Sequence, residues 1–200
     1  YTTLFRSAGS FALIPQFGTD PKVFKRIKDK GERIKGEPLR IGFAGRLIRG
    51  KGVYLLINAL SQLPAVLEWQ LEIVGDGPEA EGLKSLARQL GFSERVKFWG
   101  RKGSAEMPAF LQSLDLLVLP SRTMPNWKEQ FGRILVEAMG CGVPVLGSDS
   151  GEIPHVIGDA GEIFAEGMVD DLASKLQALL QDSERRKKLG SLGRERMLAN

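Results

Sequence analysis

Cysteine is almost missing from this chain. Cys141 stands alone among 200 residues, which excludes a disulfide framework and makes a reducing cytoplasm the expected compartment. Set between Gly140 and Gly142, it reads as a small residue in a tight helix-to-strand turn. Histidine is as scarce: His155 is the single one, behind Pro154, with no acid or nucleophile at a suggestive spacing, so a structural place is expected for it. No D-x-D pair and no His/Cys cluster at ligand spacing occurs, so no metal is implied. No apolar run approaches the roughly 20 residues of a bilayer span, and no signal-peptide pattern opens the chain, so a soluble protein is expected. The basic excess is a modest +4, concentrated between Lys22 and Lys35 and again at Arg185 to Lys188. Without aromatic residues interleaved, it reads as a solvated face, with no nucleic-acid partner.

The apolar and charged fractions, 42% and 26%, suit one sizeable α/β core. The first ten residues follow neither helical nor strand periodicity, and the start at Tyr1 has the look of a cut. Phe11 to Ile14 reads as a short strand stopped at Pro15, followed by a Lys-rich connection, so residues 1–37 are expected to be a linker and the end of a preceding domain. From residue 38 a regular alternation begins. Strands are expected at LRIGFAG (39–45), WQLEIV (69–74), VKFWG (96–100), LDLLVLP (114–120), PVLGS (144–148) and GEIFA (161–165). Between them lie helices at 53–63, 78–90, 105–114, 132–139 and about 153–157, with two more from Val169 onward. Near-continuous apolar strands alternating with amphipathic helices predict a parallel sheet covered on both faces, a Rossmann-like doubly wound domain over 38–200. Its ligand crevice belongs at the carboxyl ends of the strands.

The loops at those ends carry the chemistry. After the first strand comes GRLIRGKG, Gly45 to Gly52, which satisfies G-x-x-x-x-G-K but has Gly52 where a P-loop needs the hydroxyl that binds magnesium, so nucleotide hydrolysis is disfavoured. A glycine-rich turn with Arg46 and Lys51 beside a helix start can hold a diphosphate without metal; it can equally be a tight turn with surface charges. GDGPEA, Gly75 to Ala80, formally fits a dinucleotide fingerprint, yet it follows the second strand and Pro78 reads as the first helical residue. A turn that lets a ligand approach Gly75 closely fits it better. Gly100-Arg101-Lys102-Gly103 offers main-chain groups to a base, or is plain turn punctuation. In Ser121 to Gln130, the longest loop, the chain leads into EQFGRILVE, with Glu129 just before a helix and Glu137 inside it, eight residues on. Phe131, Gly132 and Arg133 present amides at that helix start. A carboxylate among apolar neighbours needs donors, because an unpaired buried charge costs several kcal/mol. A sugar or ribose diol supplies them, as does a nearby Arg or Lys. Gly147 to Glu152 closes the crevice, so three helix N-termini are expected to face it.

Taken together, G-R-L-x-x-x-K-G, VGDGP, FWG, VLPS, the two acids with FG between them, EAMGCGVPV and SDSGEIPHVIGD closely resemble family 4 glycosyltransferases, in one order from about Leu13 to Arg196. The resemblance implies the carboxyl-terminal, donor-binding half of a GT-B enzyme, with IPQFGTDPKVF similar to the segment entering that half. It implies a retaining hexosyltransferase with an NDP-sugar donor, UDP- or GDP-linked, and no further cofactor. Arg46 and Lys51 would hold and stabilise the departing diphosphate, Glu129 a sugar hydroxyl, and Glu137 the ribose. Gly45, Gly75, Arg101, Lys102, Phe131, Gly132 and Arg133 would complete the donor site, largely through main chain. The acceptor, of lipid or saccharide type, would belong to an amino-terminal domain of the full-length chain, itself cytoplasmic or peripheral to the membrane. Without that domain the piece is expected to be inactive. A GT-B epimerase or hydrolase and a non-catalytic nucleotide-sugar-binding module are the alternatives.

Overall fold

A computed structural model describes the backbone of residues 3–7 and 10–14, and residues 19–26 and 36–199 in full. The Lys-rich part of the expected linker, 27–35, lies outside the described residues.

Strands β1 (Thr3–Ser7) and β2 (Ser10–Ile14) pair antiparallel, Thr3 opposite Ile14 and Ser7 opposite Ser10. The opening residues thus include a strand where no periodicity announced one. Five residues with Leu4 and Phe5 adjacent show no alternation, and a strand this short is specified by its partner rather than its own pattern.

The remaining elements alternate in chain order: β3 (Leu39–Ala44), α1 (Val53–Ser61), β4 (Trp69–Val74), α2 (Ala80–Gln89), β5 (Val96–Phe98), α3 (Met107–Ser113) and β6 (Leu116–Leu119). They continue with α4 (Arg133–Gly140), β7 (Val145–Ser148), α5 (Ile153–Ile157), β8 (Glu162–Phe164), α6 (Val169–Gln181) and α7 (Ser183–Ala199). The six strands from β3 to β8 form one parallel sheet in the order β5-β4-β3-β6-β7-β8. The doubly wound architecture follows directly, with its order reversing between β3 and β6.

Every residue of β6 and β7 is buried, as a parallel sheet covered on both faces demands. Helix α1 buries Val53, Leu55, Leu56, Ile57, Ala59 and Leu60, because it packs against α6 and α2 as well as the sheet. Leu172, Leu176, Leu179 and Leu180 supply the matching stripe on α6 at helical spacing. On the other side α4 packs with α3, α5 and α7, and Arg194 of α7 donates to the carbonyl of Gly140, satisfying one orphan acceptor at the end of α4.

Several helices start later than their sequence pattern suggests. Pro78 is not the first helical residue; α2 opens at Ala80, since the Glu79 amide donates to Leu47 O at 3.0 Å. Likewise α3 opens at Met107 rather than Ala105, because Gly103 and Glu106 close a turn, the Gly103 amide donating to Glu106 Oε2 at 2.8 Å. Among the described residues no helix is long and apolar enough to cross a membrane.

Candidate functional site

Where the sheet order reverses, the loops leaving β3 and β6 become neighbours. A Cβ at Gly52 would lie 1.9 Å from Pro120 O, and the Arg122 amide donates to Gly50 O at 2.6 Å, so the two backbones are in direct contact. Gly52, at φ 66°, caps α1 in the left-handed region. That contact explains why glycine rather than a hydroxyl residue follows Lys51.

The contact brings together residues separated by 78 positions. Lys51 Nζ lies 2.5 Å from Glu129 Oε2, and both side chains are largely buried. Glu129 is fixed at both ends: the Ser121 hydroxyl donates to the same Oε2 at 2.9 Å, and the Glu152 amide donates to its backbone carbonyl at 3.1 Å. Ser148, fully buried on β7, donates from Oγ to Ser121 O at 2.6 Å. The amide at the start of α5 is therefore committed to the acidic loop, while the first turns of α1 and α4 flank the Lys51 and Glu129 pair.

Neither Ser121 nor Ser148 stood out in the sequence. The available signal was the position of Ser121 directly after the β6 strand and its proline; a serine there, wholly buried, has to bond something polar.

Arg46 sits on the same turn as Lys51. It is exposed and makes no ion pair with the described residues, so its charge is available to a ligand. At Gly75 the close approach is made by the neighbouring turn: a Cβ there would lie 1.8 Å from Gly45 O, and one at Gly77 would lie 2.4 Å from Leu47 O. The missing side chains make room for the neighbouring turn, which packs tightly against GDG, rather than for a ligand alone. Gly45 itself donates its amide to Val74 O at 3.0 Å.

Farther along the sheet edge, Arg101 reaches Asp76 at 3.7 Å and Lys102 reaches Glu106 at 3.4 Å. Lys102 and Lys97 also lie over Trp99, whose ring nitrogen donates to buried Glu72 at 2.9 Å. Arg40 holds the other oxygen of Glu72 at 2.6–2.7 Å. The side chains of this loop are thus engaged with protein, and part of its main chain is as well, since the Gly100 carbonyl accepts the Gly75 amide at 2.8 Å and the Gly103 carbonyl the Glu106 amide at 3.0 Å.

On α4, Gly132 is the cap, with Phe131 before it and Arg133 as the first helical residue. Glu137 is buried one turn on, and Arg133 Nε holds its Oε1 at 3.0 Å. Burial raises the Glu137 carboxyl above the usual carboxylate range, opposed by the Arg133 charge and hydrogen bond. Its proton is thus held more tightly by the folded than by the unfolded chain, so its contribution to stability is full below the unfolded pKa and declines as pH rises through the folded one. Glu137→Gln removes that penalty. The ligand-free variant is expected to melt above the parent at pH 7, with the gap closing as pH falls through the raised Glu137 pKa toward the ordinary glutamate value of about 4.3, in a thermal scan across pH. A variant that melts below the parent at pH 7 would contradict this balance.

His155 is exposed on α5 and offers its backbone carbonyl to Arg196, consistent with a structural place, and Cys141 is buried at the end of α4.

The family profile described as "Glycosyl transferases group 1" matches residues 24–196. This chain belongs to that family. It is similar to a GDP-mannose-dependent monoacylated alpha-(1-6)-phosphatidylinositol monomannoside mannosyltransferase of Corynebacterium glutamicum, 37% identical over 97% of this chain and 53% of that protein. It is also similar to N-acetyl-alpha-D-glucosaminyl L-malate synthase of Bacillus anthracis, 35% identical over 72% of this chain and 37% of that protein. The chain therefore spans about a third to a half of the length of such relatives. Among solved structures, the C-terminal domain of the group 1 glycosyl transferase LpcC from Francisella tularensis superposes with a TM-score of 0.78 at 26% identity, covering 92% of this chain and 98% of that one. HepE from Anabaena, in complex with UDP, gives 0.79 at 26% identity, covering 91% and 51%. The fold is the Rossmann-like half of a GT-B glycosyltransferase.

Proposed function

We propose that this domain holds the nucleoside diphosphate sugar of a retaining hexosyltransferase whose acceptor is bound by an amino-terminal half. The observation that carries the reading is the Lys51 and Glu129 pair at the point where the sheet order reverses. A cation suited to phosphate touches a carboxylate suited to sugar hydroxyls, so the pair marks the junction between diphosphate and hexose in a bound donor. Arg46 adds a second cation to the phosphate side, and the first turns of α1 and α4 add amides and dipole. Glu137, buried with one exposed cation for a partner, takes the ribose hydroxyls. Phe131, Gly132 and Arg133 support the sugar and phosphate through main chain.

In the transfer step the bond from the anomeric carbon to the diphosphate oxygen breaks, with its electron pair leaving on the diphosphate. The acceptor oxygen attacks from the same face, its proton passes to a diphosphate oxygen, and the anomeric configuration is kept. Lys51 and Arg46 stabilise the growing negative charge, the task a metal performs elsewhere. The named relatives that depend on GDP-mannose and the neighbour solved with UDP support a GDP- or UDP-linked donor.

Isothermal titration of this domain with UDP, GDP, ADP and their sugar conjugates in EDTA tests the assignment. At least one diphosphate is expected to bind without metal. Glu137→Gln should weaken every nucleotide by about 1–3 kcal/mol, the worth of a charge-assisted hydrogen bond. Glu129→Gln should weaken only the intact sugar nucleotide, with the bare diphosphate held equally or better because Lys51 is released from its pair. Equal losses of diphosphate and sugar nucleotide in Glu129→Gln would sink the division of roles. Binding that needs magnesium would sink the metal-free site.

A further inference from the structure

The loop that delivers Glu129 also contains a small closed unit that the donor reading leaves without a task. Met124 and Trp127 exchange backbone hydrogen bonds, 2.7 Å from the Met124 amide and 3.1 Å from the Trp127 amide, around Pro125 and Asn126. This two-residue hairpin is anchored at its base. The Arg122 guanidinium donates to the Tyr54 hydroxyl at 2.6 Å, the Arg122 amide donates to Gly50 O, and the Thr123 amide donates to Glu166 at 2.6 Å.

The hairpin lays the Trp127 ring on the diphosphate turn. A Cβ built on Gly50 would lie 2.6 Å and 2.9 Å from two ring carbons and 3.4 Å from Met124, so the absence of a side chain at Gly50 is what lets the indole settle there. Lys51 Nζ lies over the same ring, 5.2 Å from its centroid, within the range of a cation–π attraction.

We infer that Trp127 is a positioning residue that holds the Lys51 ammonium in the crevice, with Gly50 as its seat; this rests on Lys51 being the diphosphate cation. Lysine carries a long stem with many rotamers, and fixing it costs entropy that weakens binding if paid on ligand arrival. In the empty site Glu129 and the indole share the ammonium. Once a sugar hydroxyl engages Glu129 and a phosphate draws Lys51, the ring still limits where the stem can go. A uniformly apolar wall would restrict the stem too, but it would offer no attraction to the charge.

A double-mutant cycle tests the inference, with UDP and GDP as probes in EDTA. Trp127→Leu is expected to weaken diphosphate binding about threefold to tenfold, and Trp127→Phe, which keeps a π face, to stay within about twofold of the parent. Gly50→Ala should reproduce the Trp127→Leu loss by displacing the ring. In a Lys51→Ala background both changes should be silent. Equal losses with and without Lys51, or a Phe variant as weak as Leu, would overturn the inference.

A second measurement is independent of nucleotide. In protein carrying 13C-lysine, the Lys51 ε-methylene resonance should be displaced by the ring current and return to the ordinary lysine position in Trp127→Leu. An undisplaced resonance beside intact UDP or GDP binding would refute the role of Trp127. A displaced resonance in a parent that binds neither nucleotide would refute the donor reading instead, and with it the phosphate role given to Lys51.

Discussion

Lys51→Ala in the enzyme carrying this domain is expected to lower kcat by about 10²- to 10³-fold, the loss seen when one preorganised donor to a developing negative charge is removed. Two effects combine in that number. On the proposed reading the departing diphosphate loses a cation, and the carboxylate of Glu129 loses its ion-pair partner while remaining nearly inaccessible to water, 8% exposed. Ser121 alone would then satisfy Glu129 Oε2.

The second effect gives the prediction a signature that a simple loss of binding lacks. Breaking a buried pair by removing one partner costs about 3–5 kcal/mol at full burial, and less here because Lys51 retains some exposure. The Lys51→Ala domain should therefore melt below the parent, and Glu129→Gln added to it should recover most of the melting temperature, since the amide can be buried without a counter-charge. Transfer should not recover. If stability and transfer returned together, Lys51 would be a structural partner of Glu129 and not the diphosphate cation.

How far such residues were legible beforehand follows from what each depends on. The parallel, doubly wound sheet was legible because apolar strands such as LLVL and amphipathic helices such as α6 carry their own period, while the order of its strands came only with the structure. Arg46, Lys51, Glu129 and Glu137 were visible because charges at the mouths of loops or within an apolar helix stand out against their neighbours. What remained hidden was pairing. Lys51 and Glu129 read as belonging to two different parts of a ligand, and nothing in either segment shows that they touch across 78 residues when the site is empty. Trp127 read as one member of a long loop because its hairpin is closed by main-chain bonds, which leave no trace in side-chain pattern. Glu72 was lost inside the strand WQLEIV, where its partners are Arg40 on the neighbouring β3 and Trp99 directly after β5 on the other side. Gly75 was read as a place of close approach by a ligand, and the structure shows that the backbone carbonyl of Gly45 comes close there, as that of Leu47 does at Gly77. A glycine in a sequence announces that something comes close, and only the fold tells whether that is ligand or chain.

Gly52 makes that distinction measurable, and Gly52→Ala is expected to have a large effect on stability. Its φ of 66° is left-handed, which strains any other residue by about 1–2 kcal/mol. The added Cβ would also meet Pro120 O at 1.9 Å, a backbone atom that cannot rotate aside. Gly91 separates the two terms: its φ is 77°, and a Cβ there meets nothing within 4 Å. Gly91→Ala should therefore carry the conformational strain alone, and Gly52→Ala should lose about 3 kcal/mol or more, roughly 6–12 °C in Tm for a domain of this size. The loss should reach the site, because parting Gly52 from Pro120 moves Lys51 away from Ser121 and Glu129. Diphosphate affinity should consequently fall in Gly52→Ala at temperatures where the domain is still folded, and stay unchanged in Gly91→Ala. Equal melting temperatures for the two variants would show that the contact between the β3 and β6 loops is looser than the geometry states, and the assembly of the donor site around it would have to be abandoned.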